Sequence, residues 1–145
     1  MTFTIREAIQ SDALSINTIN KESLGYDISL ELTTQQLNAA LINPDHTIYV
    51  ALDDNTVIGY IHFCLYTSFL APQEYLIMEL AADTRYQGQG VGRQLMNSLE
   101  HEAQLHGISL IRLGSGTHRH GAHAFYESMG YSSTKEQRIF KKELD

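Results

Sequence analysis

The chain has 145 residues, the size of a single domain over residues 1–145, and a chain of this length buries roughly 68–70% of its unfolded surface. Ten Lys and Arg against 17 Asp and Glu give a net charge of −7, which argues against general nucleic-acid binding because that depends on clustered cations. No apolar stretch approaches the run of about 20 residues that crosses a membrane, no signal-peptide pattern opens the chain, and the single cysteine, Cys64, suits a reducing cytoplasm.

In chain order, Thr2 to Glu7 reads as a first strand. Ser11-Asp12 caps a helix carrying Ala13, Ile16 and Ile19 on one side. Thr33-Thr34-Gln35-Gln36 has capping-box spacing before Leu37, Ala40 and Leu41, and Asn43-Pro44 stops that helix. Two strands follow, Thr47 to Leu52 and Thr56 to Tyr66, joined by a turn at Asp53-Asp54-Asn55, and a fourth runs from Glu74 to Ala82. Val91, Leu95, Leu99 and Ala103 line one face of a long helix that Gly107 ends. Ser109 to Leu113 is expected as a buried fifth strand, Ala122 to Met129 as a helix closed by Gly130, and Gln137 to Glu143 as an edge strand guarded by lysines. Antiparallel hairpins followed by a β-α-β unit predict an α/β fold: a mixed, mostly antiparallel sheet with helices on both faces.

Between the fourth strand and the long helix lies Tyr86-Gln87-Gly88-Gln89-Gly90-Val91-Gly92. Alternate glycines let backbone amides approach an anion with no Cβ in the way. The helix that follows adds its unpaired N–H groups and the positive end of its dipole, so the local potential is positive even in an acidic chain. A P-loop would need Gly-Lys-Ser/Thr where Gly92-Arg93-Gln94 stands, and a dinucleotide fingerprint would need different glycine spacing. A strand-to-helix turn without a ligand remains the bland alternative for an isolated glycine run.

Two motifs in order tip the balance. Gln87-x-x-Gly90-x-Gly92 resembles the acetyl-CoA pyrophosphate loop of the GNAT (Gcn5-related N-acetyltransferase) superfamily. Ala122-His123-Ala124-Phe125-Tyr126-Glu127-Ser128-Met129-Gly130-Tyr131 resembles its second hallmark, Ala-x-x-Phe-Tyr-x-x-x-Gly-Phe/Tyr, and Ile5-Arg6-Glu7-Ala8 before Asp12 resembles its opening strand and helix. The resemblance covers nearly the whole chain and is tightest from Tyr75 to Tyr131.

It implies an acetyl-CoA-dependent N-acyltransferase. Backbone amides of Gln87, Gly88, Gln89, Gly90, Val91 and Gly92 would hold the pyrophosphate, and Leu80 and Ala82 would pair with the pantetheine arm like an added strand. In the family this strand is bulged and splays from the fifth, and a backbone N–H near Leu80 would polarise the thioester carbonyl. Tyr126 would protonate the departing thiolate. Glu79, on the fourth strand, stands where many members place a carboxylate that takes the amine proton directly or through water; burial would have to raise its pKa for that role, and orienting a cationic substrate is the alternative. Arg119 replaces the usual Asn, which removes an acceptor but supplies a candidate phosphate or carboxylate anchor.

His118, His120 and His123 cluster without the spacing of a zinc site and read as surface residues, His123 at a helix surface or pocket edge. His62 reads as a satisfied sheet residue, with a place looking into the acceptor pocket as the alternative, and Cys64 as a small core residue. No metal is expected. Glu22, Tyr26, Asp27, Glu31, Tyr66, Phe69 and Tyr75 fall where the family builds its acceptor pocket, and carboxylates with aromatics suit a cationic amine, although an ordinary solvated rim has the same composition. The expected reaction is acetyl transfer to a primary amine of a small molecule. Transfer to a protein or peptide amine, or a CoA-binding regulatory module without chemistry, are the alternatives. The resemblance leaves a homodimer open.

Overall fold

The computed structural model describes residues 3–145. They fall into two compact units, one running to Leu113 and one from Gly114 to Asp145. The first holds a five-stranded sheet in the order β1-β2-β3-β4-β5, formed by β1 (Thr4–Glu7), β2 (His46–Asp53), β3 (Thr56–Tyr66), β4 (Glu74–Ala82) and β5 (Ile111–Leu113). The first four strands are antiparallel, and β5 joins β4 in parallel. This is the mixed, mostly antiparallel sheet that the order of elements predicts. Thr2, expected at the start of β1, lies outside the described residues.

Helices cover both faces. Tyr60, Val50 and Ala81 point into a cluster with Ala13, Ile16 and Ile19 of α1 (Ala13–Ile19) and Leu37 of α2 (Leu30–Leu41). The opposite face takes α3 (Val91–Leu105), whose Val91, Leu95, Met96, Leu99 and Ala103 are all buried. Gly59 of β3 is what lets α3 settle there. A Cβ at Gly59 would lie 2.8 Å from Val91 Cγ1 and 3.0 Å from the Ala81 carbonyl oxygen. The two-residue turn after β2 puts Asp54 in the left-handed region at φ 52°, which a short polar side chain tolerates.

The helical start of α2 differs from expectation. Ser29, not Thr33, caps it, its Oγ accepting from Leu32 N–H at 3.1 Å. The threonine hydroxyls are engaged elsewhere: Thr33 Oγ1 accepts from Asn17 Nδ2, and Thr34 Oγ1 donates to the Leu30 carbonyl. Asp12 is buried and does more than begin α1. It takes two hydrogen bonds from Arg6, at 2.8 and 3.0 Å, and one from Ile9 N–H at 2.8 Å. Burial pushes its carboxyl up, but the Arg6 and Ile9 hydrogen bonds outweigh that and hold it below the ordinary range. Between α1 and α2 a π-helical turn, Asn20–Leu24, ends at Gly25 with φ 76°.

β5 is shorter than expected and only half-buried, beginning at Ile111. In the second unit, α4 (His120–Ser128) ends at Gly130 with φ 93°, as the glycine suggests. The expected tail strand, Gln137 to Glu143, does not form; residues 131–145 adopt no regular element, and Ile139 and Phe140 are exposed. Its alternation is weak and Lys141-Lys142 interrupts it, so little apolar burial is on offer to offset the entropy of ordering it.

Two substitutions test this account. Gly59→Ala is expected to cost about 1–3 kcal/mol by overpacking the β3–α3 contact, read as a fall in the urea midpoint at unchanged m. Asp12→Ala is expected to cost about 2–3 kcal/mol at pH 7, below the full price of breaking a buried pair because Arg6 is partly solvated. The carboxyl's folded pKa lies below its unfolded value near 3.9, so the wild-type advantage is complete above about pH 5 and fades as pH falls through the lower folded value. Denaturation curves at pH 7 and pH 3 check the sign.

Candidate active site

β4 carries the candidate residues Glu79, Leu80 and Ala82. Along β3 it pairs from Tyr66↔Glu74 to Gly59↔Ala82, but the register jumps from Phe63↔Ile77 to His62↔Glu79. Met78 is the extra residue, a β-bulge that turns Glu79 onto the face of Tyr60, while Tyr75 on the other side of the bulge packs against Phe63 at 5.0 Å between ring centroids. Pairing with β5 covers only Tyr75, Leu76 and Ile77. Beyond the bulge, β4 pairs with no strand on that side among the described residues.

Which backbone groups face that edge follows from alternation. Asp83 N–H donates to the Ile58 carbonyl at 2.7 Å, so Asp83 and Ala81 face β3, whereas Ala82 and Leu80 face away from it. One lone pair of the Ala82 carbonyl accepts from Ser23 Oγ on the π-helical turn. A carbonyl oxygen has a second lone pair, and the contact ties the α1–α2 connection to the end of β4.

The chain then makes a single 3-10 turn, Thr84–Tyr86, before the glycines. Asp83, buried, caps it through Arg85 N–H at 2.9 Å and grips the Arg85 guanidinium at 2.8 and 3.1 Å, which holds its carboxyl below the ordinary range. Tyr86 donates its hydroxyl to Asp53 at 2.7 Å and sets its ring edge-on to Phe3. Gln87 to Gly90 are exposed. Gly88 and Gly90 have φ of 80° and 88°, and a Cβ on either would meet no protein atom within 4 Å. The first bond from α3 into this turn runs from Gln94 N–H to the Gly90 carbonyl, so the amides of Val91 and Gly92 come before any intrahelical partner. The turn is thus anchored at Asp83 and Tyr86 and bare at its glycines.

Glu79 is 38% exposed at its side chain, so the deep burial expected of a raised carboxyl is not what surrounds it. It receives instead a contact from His62 Nδ1 at 3.0 Å, and His62 Nε2 lies 2.8 Å from His46 Nδ1. Nearby, Tyr60 donates its hydroxyl to Asn20 Oδ1 at 2.6 Å. Burial, with the Glu79 charge second, pushes Tyr60 far above the ordinary phenol range. His62, read from sequence as a satisfied sheet residue, is satisfied by Glu79 and His46. Neither contact is visible in sequence, because strand register decides them. Cys64 is half-buried, and its thiol is pushed up by burial. Tyr75 is buried on the opposite face, and Tyr66 is exposed with one ring face under the Arg112 guanidinium.

In the second unit Tyr126 sits on α4, edge-on to Phe125 at 5.2 Å and to Tyr131 at 6.2 Å. Burial pushes its pKa up, with Arg119 opposing. Arg119 is exposed and precedes α4, its carbonyl accepting from His123 N–H. His123 Nε2 contacts the Gly116 carbonyl at 2.9 Å, which occupies that nitrogen. A separate cavity of about 410 Å3 along α3 is lined by Tyr49, Asn97, Ser98, His101 and Glu102, with Ile5 and Arg6, and includes neither Glu79 nor the glycine turn.

Residues 12–131 match the Acetyltransferase (GNAT) family. The chain belongs to that family. It is an acetyltransferase whose cosubstrate is acetyl-CoA. An aminoalkylphosphonate N-acetyltransferase of Salmonella typhimurium is 29% identical over 133 residues, covering 90% of this chain and 85% of that one. Among solved structures, the aminoglycoside 6'-N-acetyltransferase AAC(6')-Ig of Acinetobacter haemolyticus superposes with a TM-score of 0.85 at 14% identity, over 98% of this chain and 99% of that one. AAC(6')-Iy, solved with the bisubstrate analogue CoA-S-monomethyl-acetylneamine, gives 0.87 at 11% identity, over 99% and 100%. These likenesses establish the fold. The bare glycines of this acetyltransferase and the unpaired edge of its β4 fit a phosphate-bearing cosubstrate with an extended amide arm.

Proposed function

We propose that this acetyltransferase transfers the acetyl group directly to a primary amine of a small molecule. The observation that carries the reading is the half-paired strand. Where β5 leaves off after Ile77, Leu80 and Ala82 turn their backbone groups outward, and the same strand runs on through Asp83 into the glycine turn. One stretch of chain thereby offers an amide ladder and an anion cradle in sequence. In this reading the amides from Gln87 to Gly92 hold the pyrophosphate, and Leu80 and Ala82 hold the pantetheine arm. Each charge–dipole contact at such a turn contributes roughly 0.3–1 kcal/mol when exposed and up to about 2 when partly buried. The bound cosubstrate supplies an activated thioester. Arg119 is a candidate anchor for a cosubstrate phosphate.

The acceptor amine must arrive neutral or lose a proton. An alkylammonium of pKa about 10.4 is neutral at pH 7 only to one part in a few thousand, a cost of about 4–5 kcal/mol. Glu79 takes that proton, directly or through water, as the new N–C bond forms and the C–S bond breaks. Tyr126 gives a hydrogen bond, and in the limit its proton, to the leaving sulfur. Its raised pKa keeps it protonated at neutral pH and makes full transfer to a thiolate of pKa near 8.5 uphill by more than about 2 kcal/mol, so the hydrogen bond is the larger part of its contribution. A small amine is supported by the named substrates of the relatives, and an acidic chain suits an acceptor with positive charge.

Calorimetric titration with acetyl-CoA, with NAD as control, tests the cradle. Gly90→Asp is expected to abolish binding because it sets a carboxylate against the phosphates, while its Cβ meets no protein atom; normal affinity in that variant means the cradle lies elsewhere. Thiol release with a panel of 2-aminoethylphosphonate, 1,4-diaminobutane and kanamycin tests the acceptor class. With any acceptor that turns over, Tyr126→Phe and Glu79→Gln should each lower kcat by roughly 10²–10⁴-fold at unchanged acetyl-CoA affinity. A rise in KM alone for Glu79→Gln makes that residue an orienter, not a base.

A further inference from the structure

Glu79 does not stand alone. His62 lies directly opposite it in the β3–β4 register, with Nδ1 3.0 Å from Glu79 Oε1. The other nitrogen of His62 lies 2.8 Å from Nδ1 of His46 on β2, and the two rings are 5.0 Å apart at 38°. Three adjacent strands thus contribute one residue each to a string that ends on the proposed base.

The protons in this string have one arrangement that keeps both rings neutral and every contact made. A carboxylate only accepts, so His62 Nδ1 carries the proton that faces Glu79. A neutral imidazole then accepts at its other nitrogen, so His62 Nε2 is an acceptor and His46 Nδ1 must donate to it. His46 Nε2 is left as the outer acceptor. The other groups near the string are Asp45, beside His46, and Tyr60, whose hydroxyl donates to Asn20 and also stands within hydrogen-bonding reach of the Glu79 carboxylate. Burial and the neighbouring His62 lower the His46 pKa, with Asp45 and Glu79 opposing, which keeps that ring neutral near pH 7.

We propose that His62 is the positioning residue for Glu79 and that His46 sets the tautomer of His62. This rests on the reading of Glu79 as the base. The string holds Glu79 at Oε1, and the Tyr60 hydroxyl is a second contact of the carboxylate, shared with Asn20. A carboxylate 38% exposed, left with the shared Tyr60 hydroxyl alone, would visit more rotamers and be in place for a smaller part of the time. His62 is 18% exposed at its side chain and held at both nitrogens, so it is the rigid member.

The string is read without turnover by long-range ¹H–¹⁵N NMR of the histidine rings at pH 7.5, assigned with the single variants. Both His62 and His46 should be in the Nδ1–H form, and Glu79→Ala should release His62 to a mixed tautomer. An Nε2–H form at His62 overturns the proposal. Its consequence for the base is read kinetically with 2-aminoethylphosphonate, 1,4-diaminobutane or kanamycin, whichever supports turnover. His62→Leu should lower kcat about 10- to 100-fold, as a misplaced base does, with KM and acetyl-CoA affinity nearly unchanged. His62→Asn, which keeps an N–H near the Nδ1 position, should recover most of that loss. In a Glu79→Gln background His62→Leu should cost nothing further. Equal losses in both backgrounds mean that His62 only supports the sheet, and the proposal fails while the base survives. Full activity of Glu79→Gln removes the base itself and takes the proposal with it.

Discussion

The site depends on one asymmetry of backbone pairing. A central strand normally satisfies its N–H and C=O groups on both sides, and leaving a row of them unpaired inside a fold is costly. Here β4 is paired with β3 along its whole length but with β5 over three residues only. The bulge at Met78 marks the change. An inserted residue reverses the alternation of side chains beyond it and increases the local twist, so the two edges of β4 stop running together. The reversal puts Glu79 on the α1–α2 face, and the edge that β5 does not reach carries the outward backbone groups of Leu80 and Ala82 to which the proposed function assigns the pantetheine arm. A single extra residue therefore sets both the carboxylate and the backbone ladder.

The same strand has to deliver the chain to the glycine turn in a fixed direction, and the contacts that do so are polar and local. Asp83 grips Arg85 by both side chain and backbone, and Tyr86 reaches across to Asp53 at the end of β2. Gly59 opens the sheet beneath Val91, the first residue of α3. The result reconciles a chain of net charge −7 with an anionic cosubstrate. Potential at a helix N-terminus comes from aligned peptide dipoles within one turn, and exposed carboxylates farther away than a Debye length of about 8 Å are largely screened.

How much of this was legible in the sequence varies with the kind of signal. Strands β3 and β4 were readable residue for residue because apolar runs bounded by turn residues mark both ends, and Gly107 and Gly130 marked helix ends through their left-handed φ. The family was readable from Gln87, Gly90, Gly92 and the segment around Phe125-Tyr126, since residue types at fixed spacing identify a motif where apolar periodicity identifies only an element. The start of α2 was misread because Thr33 and Ser29 have equal capping credentials, and the choice fell to Asn17, a tertiary partner sixteen residues from Thr33. The tail was misread because a strand needs a partner edge that a pattern of residues does not reveal. The bulge, the Ser23 contact and the histidine string were invisible for the same reason: each is a question of register between strands or elements far apart in sequence.

The surroundings of Glu79 are likewise decided by strand register. From sequence, a carboxylate serving as a base near neutral pH calls for burial, because desolvation is the general way to make an acid hold its proton. The structure gives a carboxylate more than a third exposed, and burial is spent instead on its neighbours Tyr60 and His62. An exposed group keeps access to water and substrate but loses orientation, and orientation is what a fixed hydrogen bond restores. A half-exposed carboxylate held by a rigid imidazole can meet an amine that arrives from solvent, which a deeply buried one could do only through a water chain or a conformational opening. In the reaction proposed above the acceptor must come and go at each turnover, and this arrangement keeps the carboxylate both accessible and in a defined position.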